Sequence, residues 1–194
     1  MAGKQDSLAT QSFAGQQEWA AWLDANHATA RGIWLKLAKK AAGVPSVTYA
    51  EALESALCYG WIDGQKKALD DEWWLQKFTP RAPKSVWSKI NRQKAEQLIE
   101  AGAMRPAGLR AVEAAQADGR WARAYDSQAT STVPADLQAA LDANPEAAAF
   151  FVTLDSRNRY AILFRTASAK KSETRARRIE QFVAMLARHE TLYP

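Results

Sequence analysis

Hydrophobic and polar positions change period along this chain, and each change predicts an element. In QQEWAAWLDAN, Trp19, Trp22, Leu23 and Asn26 recur at the i, i+3, i+4, i+7 spacing of one helical face. After Arg31-Gly32, IWLKLAKK alternates Ile33, Leu35 and Leu37 against Trp34, Lys36 and Ala38, the period of two of a strand. Gly and Pro make AAGVPSV a loop. A second helix follows from about Tyr49 to Tyr59. Thr48 and Glu51 form a T-x-x-E capping box, Leu53, Ala56 and Leu57 give an apolar face, and Gly60 stands where a left-handed residue ends a helix.

WIDGQKKAL and EWWLQKF read as two strands joined through Asp70-Asp71, a connection too short for anything but an antiparallel hairpin. On the first of them Trp61, Asp63 and Gln65 share a face and Ile62 takes the other. TPRAPKS is extended or irregular, because Pro80 and Pro83 remove ladder donors. From Ser88 the pattern is helical. Ser88 caps SKINRQKAEQLIEA, Pro106 opens the next helix, Pro134 opens ADLQAALDA, and Asn144-Pro145 starts EAAAFFVTL. A short helix covers 156–165, and Ser172 caps a last one with Ile179, Phe182, Val183 and Leu186 as its stripe.

Strands within the first 80 residues and helices after them predict an α+β fold, an N-terminal antiparallel sheet packed with helices and then a C-terminal helical subdomain. The expected division is 1–126 and 134–194, with SQATSTVPAD as the linker. A chain of 194 residues with 47% hydrophobic and 24% charged positions buries a core of ordinary globular kind. No apolar run approaches the ~18 residues that span a bilayer, so membrane insertion is not expected. The opening MAGKQDSLATQSF lacks a basic-then-apolar leader, and the single Cys58 suits a reducing compartment. The cytoplasm is the expected location.

Charge is unevenly placed. Residues 1–154 hold 17 Lys/Arg and 17 Asp/Glu, whereas 155–194 hold 9 and 4, so the net +5 resides in the last forty residues. Lys171, Arg175 and Arg178 share a helical edge there, a candidate contact for nucleic acid or another polyanion. The competing reading is a packing helix whose arginines pair within the bundle.

Candidate chemistry concentrates between Cys58 and Asn91. Cys58 falls near the C-terminal end of its helix, where the dipole opposes a thiolate, so it reads as packing. Tyr59, Trp61 and Asp63 surround a helix-to-strand turn, where an acid beside aromatic surface serves as a ligand anchor or, if desolvated, as a general base. The plainer role for Asp63 is to satisfy turn amides or to pair with Arg81. Arg81 lies in a proline-held loop, Trp87 offers a stacking face, and Ser88 and Asn91 offer polar groups at a helix start. Asp70, Asp71 and Glu72 lack the ligand density of a hard-cation loop and read as a solvated turn. With no C-x-x-C, H-E-x-x-H, P-loop or G-x-G-x-x-G, no metal or cofactor is expected.

CYGWIDGQ, FTPR, SVWSKIN, LIEAGAMRPAG and AKKSETRARRIEQFVAML resemble the YdeI/OmpD-associated, or bacteriocin-protection, family, over about Trp19 to Leu186. The resemblance implies a YjbR/CyaY-like α+β portion followed by a helical segment. It also implies a link to envelope stress and to tolerance of bacteriocins or antimicrobial peptides, and brings no catalytic residues. The iron sites of the frataxin relatives do not carry over, since the first helix offers only Glu18 and Asp24. The leading expectation is a bacterial stress-associated binding protein whose partner is a small molecule or a protein. Its pocket would use Tyr59, Trp61, Asp63, Arg81, Trp87, Ser88 and Asn91. The alternatives are an enzyme using Asp63 and Arg81, and a polyanion binder acting through the C-terminal helix.

Overall fold

A computed structural model describes residues 8–169 and 171–194. The first seven residues of MAGKQDSLATQSF, and Lys170 in the basic motif, lie outside the described residues. The chain forms two compact units, Met1–Trp87 with Asn91–Arg123, and Ser88–Ile90 with Ala124–Pro194.

The first unit is built on a mixed sheet in the order β1-β2-β4-β3, of β1 (Thr10–Ser12), β2 (Ile33–Ala38), β3 (Trp61–Ala68) and β4 (Trp73–Pro80). The long strand β4 pairs antiparallel with both β2 and β3, and the β3–β4 pair is the hairpin that the short Asp70-Asp71 connection predicts. To them is added β1, three exposed polar residues that pair in parallel with β2. Its pairing is made by backbone alone, which leaves no hydrophobic period to read.

Opposite residues in an antiparallel ladder share a face. Ile33 faces Phe78, Leu35 faces Gln76 and Leu37 faces Trp74, so these form one side; Trp34 opposite Lys77, Lys36 opposite Leu75 and Ala38 opposite Trp73 form the other. The helices α1 (Gln16–Asn26) and α2 (Tyr49–Cys58) cover the first side. Trp19 meets Phe78 with ring centres 5.6 Å apart and its Nε1 donates to the Ala52 carbonyl at 3.0 Å, tying both helices to the sheet.

The capping box at Thr48 is present, with the Thr48 hydroxyl accepting from the Glu51 amide and the Glu51 carboxylate accepting from the Thr48 amide. Gly60 ends α2 with φ of +73°, and a Cβ there would lie 2.8 Å from the Ala107 carbonyl of α4 (Pro106–Ala117). Gly108 is tighter still, since a Cβ would press into the Cys58 carbonyl group, 2.8 Å from its carbon and from the Leu57 oxygen. Two glycines therefore set how closely α2 and α4 cross. The helix α3 (Lys89–Glu100) begins inside the stretch 88–90 that groups with the second unit, where the Lys89 amide donates to the Tyr125 carbonyl and its ammonium meets Asp126 at 2.8 Å.

The second unit holds α5 (Ala135–Asp142), α6 (Pro145–Thr153), α7 (Ser156–Ala167) and α8 (Ser172–Ala187). Its core combines Leu137, Leu141, Phe151, Ile162, Ile179, Phe182 and Leu186. The stripe read on the last helix is the one buried. Asn144 caps α6 as its Asn-Pro start predicts, its side chain accepting from the Ala147 amide at 3.0 Å. Ser172 is the first residue of α8, and Lys171 occupies the N-cap position.

Candidate functional site

The residues singled out between 58 and 91 separate into distinct surroundings. Tyr59 and Trp61 are core. The Trp61 ring is 1% exposed, packs edge-on against Trp22 at 5.8 Å, and donates its Nε1 to the His27 carbonyl at 3.1 Å. Tyr59 donates to the Asp24 carboxylate at 3.1 Å and lies against the His27 ring. Burial, and then the Asp24 hydrogen bond, raise its hydroxyl above the ordinary tyrosine range. These two aromatics bind the helix-to-strand turn to α1.

Arg81 and Trp87 form a second cluster. The guanidinium carbon lies 3.5 Å from the centre of the Trp87 ring, and Nη1 donates to the Val86 carbonyl at 3.2 Å. Trp87 is 1% exposed and meets Trp121 edge-on at 4.8 Å. Arg120 closes the loop by donating to the Ser85 carbonyl at 2.8 Å while gripping Asp118. The proline loop is thus folded over a cluster in which Arg81 lies over Trp87 and Trp121 meets Trp87 edge-on. Asn91 is buried in the first turn of α3, and Ser88 belongs to the second unit, where it bridges to Tyr125.

Asp63 has different neighbours. It accepts from the Tyr49 hydroxyl at 2.8 Å, and the Tyr49 ring lies 6.1 Å from that of Trp74. Tyr49 is 39% exposed and Asp63 and Trp74 are half-buried, so the three form an open rim beside the first turn of α2. A β-bulge follows Asp63. Two residues, Gly64 and Gln65, oppose the single Lys77, so the alternation expected for Gln65 breaks and Lys66 resumes the Asp63 face. The buried Gln76 side chain pins this bulge by donating to the Gly64 carbonyl at 2.8 Å.

Asp63 and Arg81 do not share this rim. The Arg81 amide donates to the Gly60 carbonyl, whereas Asp63 sits opposite Phe78, three positions further along β3. Asp70 has the turn role expected of the acidic run, its carboxylate accepting from the Glu72 and Trp73 amides. Cys58 is buried, and loss of solvent raises its thiol above the ordinary range despite the Arg105 charge. Among the described residues no group of three or more His, Cys, Asp or Glu is placed to hold a metal ion, and no helix is long and apolar enough to cross a membrane.

The C-terminal arginines are held inside the second unit. Arg175 grips Asp136 and donates to the Thr166 carbonyl at 2.9 Å, and Arg178 donates to the Arg165 carbonyl. Both add a charged donor to carbonyls of the last turn of α7, where the Ala169 amide also reaches the Thr166 carbonyl and the Ser168 hydroxyl the Arg165 carbonyl. Lys171 is exposed at the start of α8.

Tyr49 and Trp74 complete the rim with Asp63, and the buried Gln76 supports it from below; none of these three is among the residues that the sequence singles out. Tyr49 reads in sequence only as the first residue after a cap, and Gln76 only as a polar residue in an apolar strand. That second oddity is a usable signal, because a polar side chain on the core face of a strand needs a partner.

The architecture is that of an α+β protein with a C-terminal helical unit. The chain belongs to the family described as Domain of unknown function (DUF8412), whose model matches residues 11–111, and residues 130–189 match the family described as Bacteriocin-protection, YdeI or OmpD-Associated. The motifs CYGWIDGQ, FTPR, SVWSKIN and LIEAGAMRPAG fall in the first matched stretch and the basic C-terminal motif AKKSETRARRIEQFVAML in the second. No curated protein and no solved structure matches the chain.

Proposed function

We propose that this chain is a bacteriocin-protection-type binding protein that recognises a cationic group of a peptide-like ligand at the Tyr49–Asp63–Trp74 rim. The observation that carries the reading is the Asp63 carboxylate, oriented by the Tyr49 hydroxyl at 2.8 Å next to a bulge pinned by Gln76. A carboxylate has about four acceptor positions, so one hydroxyl leaves capacity for an ammonium or guanidinium. The Trp74 and Tyr49 rings flank it with the aromatic surface that favours cations and apolar stems alike. Glu51 and Glu72 each stand two positions from a rim residue and Lys66 stands three from Asp63, and Glu51 is engaged in the α2 cap.

Binding is favoured over catalysis because Asp63 and Arg81 face different partners and Cys58 is buried. The C-terminal polyanion reading is weakened by the internal contacts of Arg175 and Arg178. A sheet with helices on one face fits the YjbR/CyaY-like kinship, and a lone buried cysteine fits service in a bacterial cytoplasm under stress.

Calorimetric titration of the full chain with a lysine-containing amphipathic peptide tests the proposal. Asp63→Asn should weaken binding about tenfold, the equivalent of roughly 1.4 kcal/mol. Equal affinity of the variant and the parent overturns it.

A further inference from the structure

The sheet face opposite α1 and α2 carries a second pattern that the rim does not use. Strands β2, β3 and β4 contain four lysines, Lys36, Lys66, Lys67 and Lys77, against one carboxylate, Asp63. By register Lys36, Lys67 and Lys77 occupy the face that also presents Trp34, Trp73 and Leu75, whereas Asp63 lies on the helix-covered face. The lysines lie over the rings. The Lys67 ammonium is 4.2 Å from the centre of Trp34 with Lys77 at 5.8 Å, and the Lys36 ammonium is 4.7 Å from Trp73. Trp34 is only 6% exposed beneath these chains, and Trp73 is half-buried.

We propose that this face binds single-stranded nucleic acid, with bases against Trp34 and Trp73 and phosphates on Lys36, Lys67 and Lys77. Single strands are held by a positively charged track combined with aromatic side chains on which bases stack. Both components are present here, interleaved at strand spacing on a face that α1 and α2 leave uncovered. An ammonium over a ring is a flexible cover, since the lysine stem swings to a phosphate and its place over the indole passes to a base. The acidic turn Asp70, Asp71 and Glu72 precedes Trp73 and bounds the basic track at that edge. An anionic membrane fits less well, because Trp34 lies flush under lysines and does not protrude. This inference is independent of the Asp63 rim, which lies on the other side of the sheet.

The experiment is fluorescence anisotropy of a labelled oligothymidylate of about ten nucleotides against the full chain, at several salt concentrations. Binding should weaken with salt, and the double variant Lys36→Gln/Lys67→Gln should reduce the slope of log affinity against log salt by about 0.7 per lysine. Trp73→Ala should cost about fivefold or more, and oligonucleotide should quench tryptophan fluorescence. Trp34→Phe serves beside them, because it keeps a stacking face while circular dichroism confirms folding, and it should retain most of the affinity. Three results overturn the proposal. One is no binding at low salt, one is binding lost in Lys171→Gln/Arg177→Gln but kept in the sheet variants, and one is capture by phosphatidylserine vesicles without oligonucleotide binding.

Discussion

Arg175 and Asp136 form a two-point clasp, with Nε and Nη2 of the arginine on the two carboxylate oxygens at 2.5 and 2.7 Å. The remaining guanidinium nitrogen holds the Thr166 carbonyl, so one side chain of α8 fastens the start of α5 and the end of α7. The arrangement explains why a basic helix need not be a polyanion surface. Side chains are 27% and 46% exposed at this pair, so solvent screening limits its worth, and Arg175→Ala should destabilise the unit by about 1 kcal/mol. Chemical denaturation of parent and variant measures this.

The same clasp gives stability an acid dependence. The Arg175 hydrogen bond holds the Asp136 carboxyl below its ordinary range. A carboxylate depressed on folding contributes above its unfolded value, near 3.9, and the contribution is lost as pH falls through the lower folded value. The difference in stability between parent and Arg175→Ala should therefore be constant from neutral pH down to about 5 and shrink below about 4. A difference that grows on acidification contradicts the assignment.

Gly108 is where α2 and α4 come closest, backbone against side-chain-free backbone. Gly108→Ala places a methyl group against the Cys58 carbonyl carbon and the Leu57 oxygen, both rigid, and should destabilise the first unit by about 3 kcal/mol. Gly15→Ala is the control, because a Cβ there meets nothing within 4 Å and the backbone is extended. Thermal melts of the two variants should differ clearly, and equal melts would contradict the close crossing.

Cys58 should behave as an inert core thiol. Burial raises it away from the thiolate, so labelling by a disulfide reagent at pH 7 should be slow in the folded chain and fast after denaturant is added. Stoichiometric labelling within the mixing time of the native protein would place the thiol at the surface.

Local signals carried much of this fold and little of the rim. The Thr48–Glu51 box, the Asn144-Pro145 start and the β3–β4 hairpin each rest on neighbours within a few residues, and each is where the pattern puts it. Trp61 and Trp87 were legible as large aromatics near turns, but which way they face depends on Trp22, His27 and Trp121, residues far off in the chain. The bulge after Asp63 hides in the sequence because WIDGQKKA alternates no worse than its neighbours. The Gln76 amide that holds it comes from the partner strand. Tyr49 reaches Asp63 only because α2 docks on β3, a tertiary fact with no local trace.

The central claim is that the Tyr49–Asp63–Trp74 rim receives a cationic ligand. Its most direct test is to follow the indole N–H resonance of Trp74 in an isotope-labelled sample during titration with the lysine-containing peptide, alongside Asp63→Asn. A saturable shift of Trp74 and of the backbone amides from Ile62 to Lys66, abolished in the variant, is the predicted result. An unmoved Trp74 with shifts elsewhere, or identical shifts in Asp63→Asn, would contradict it.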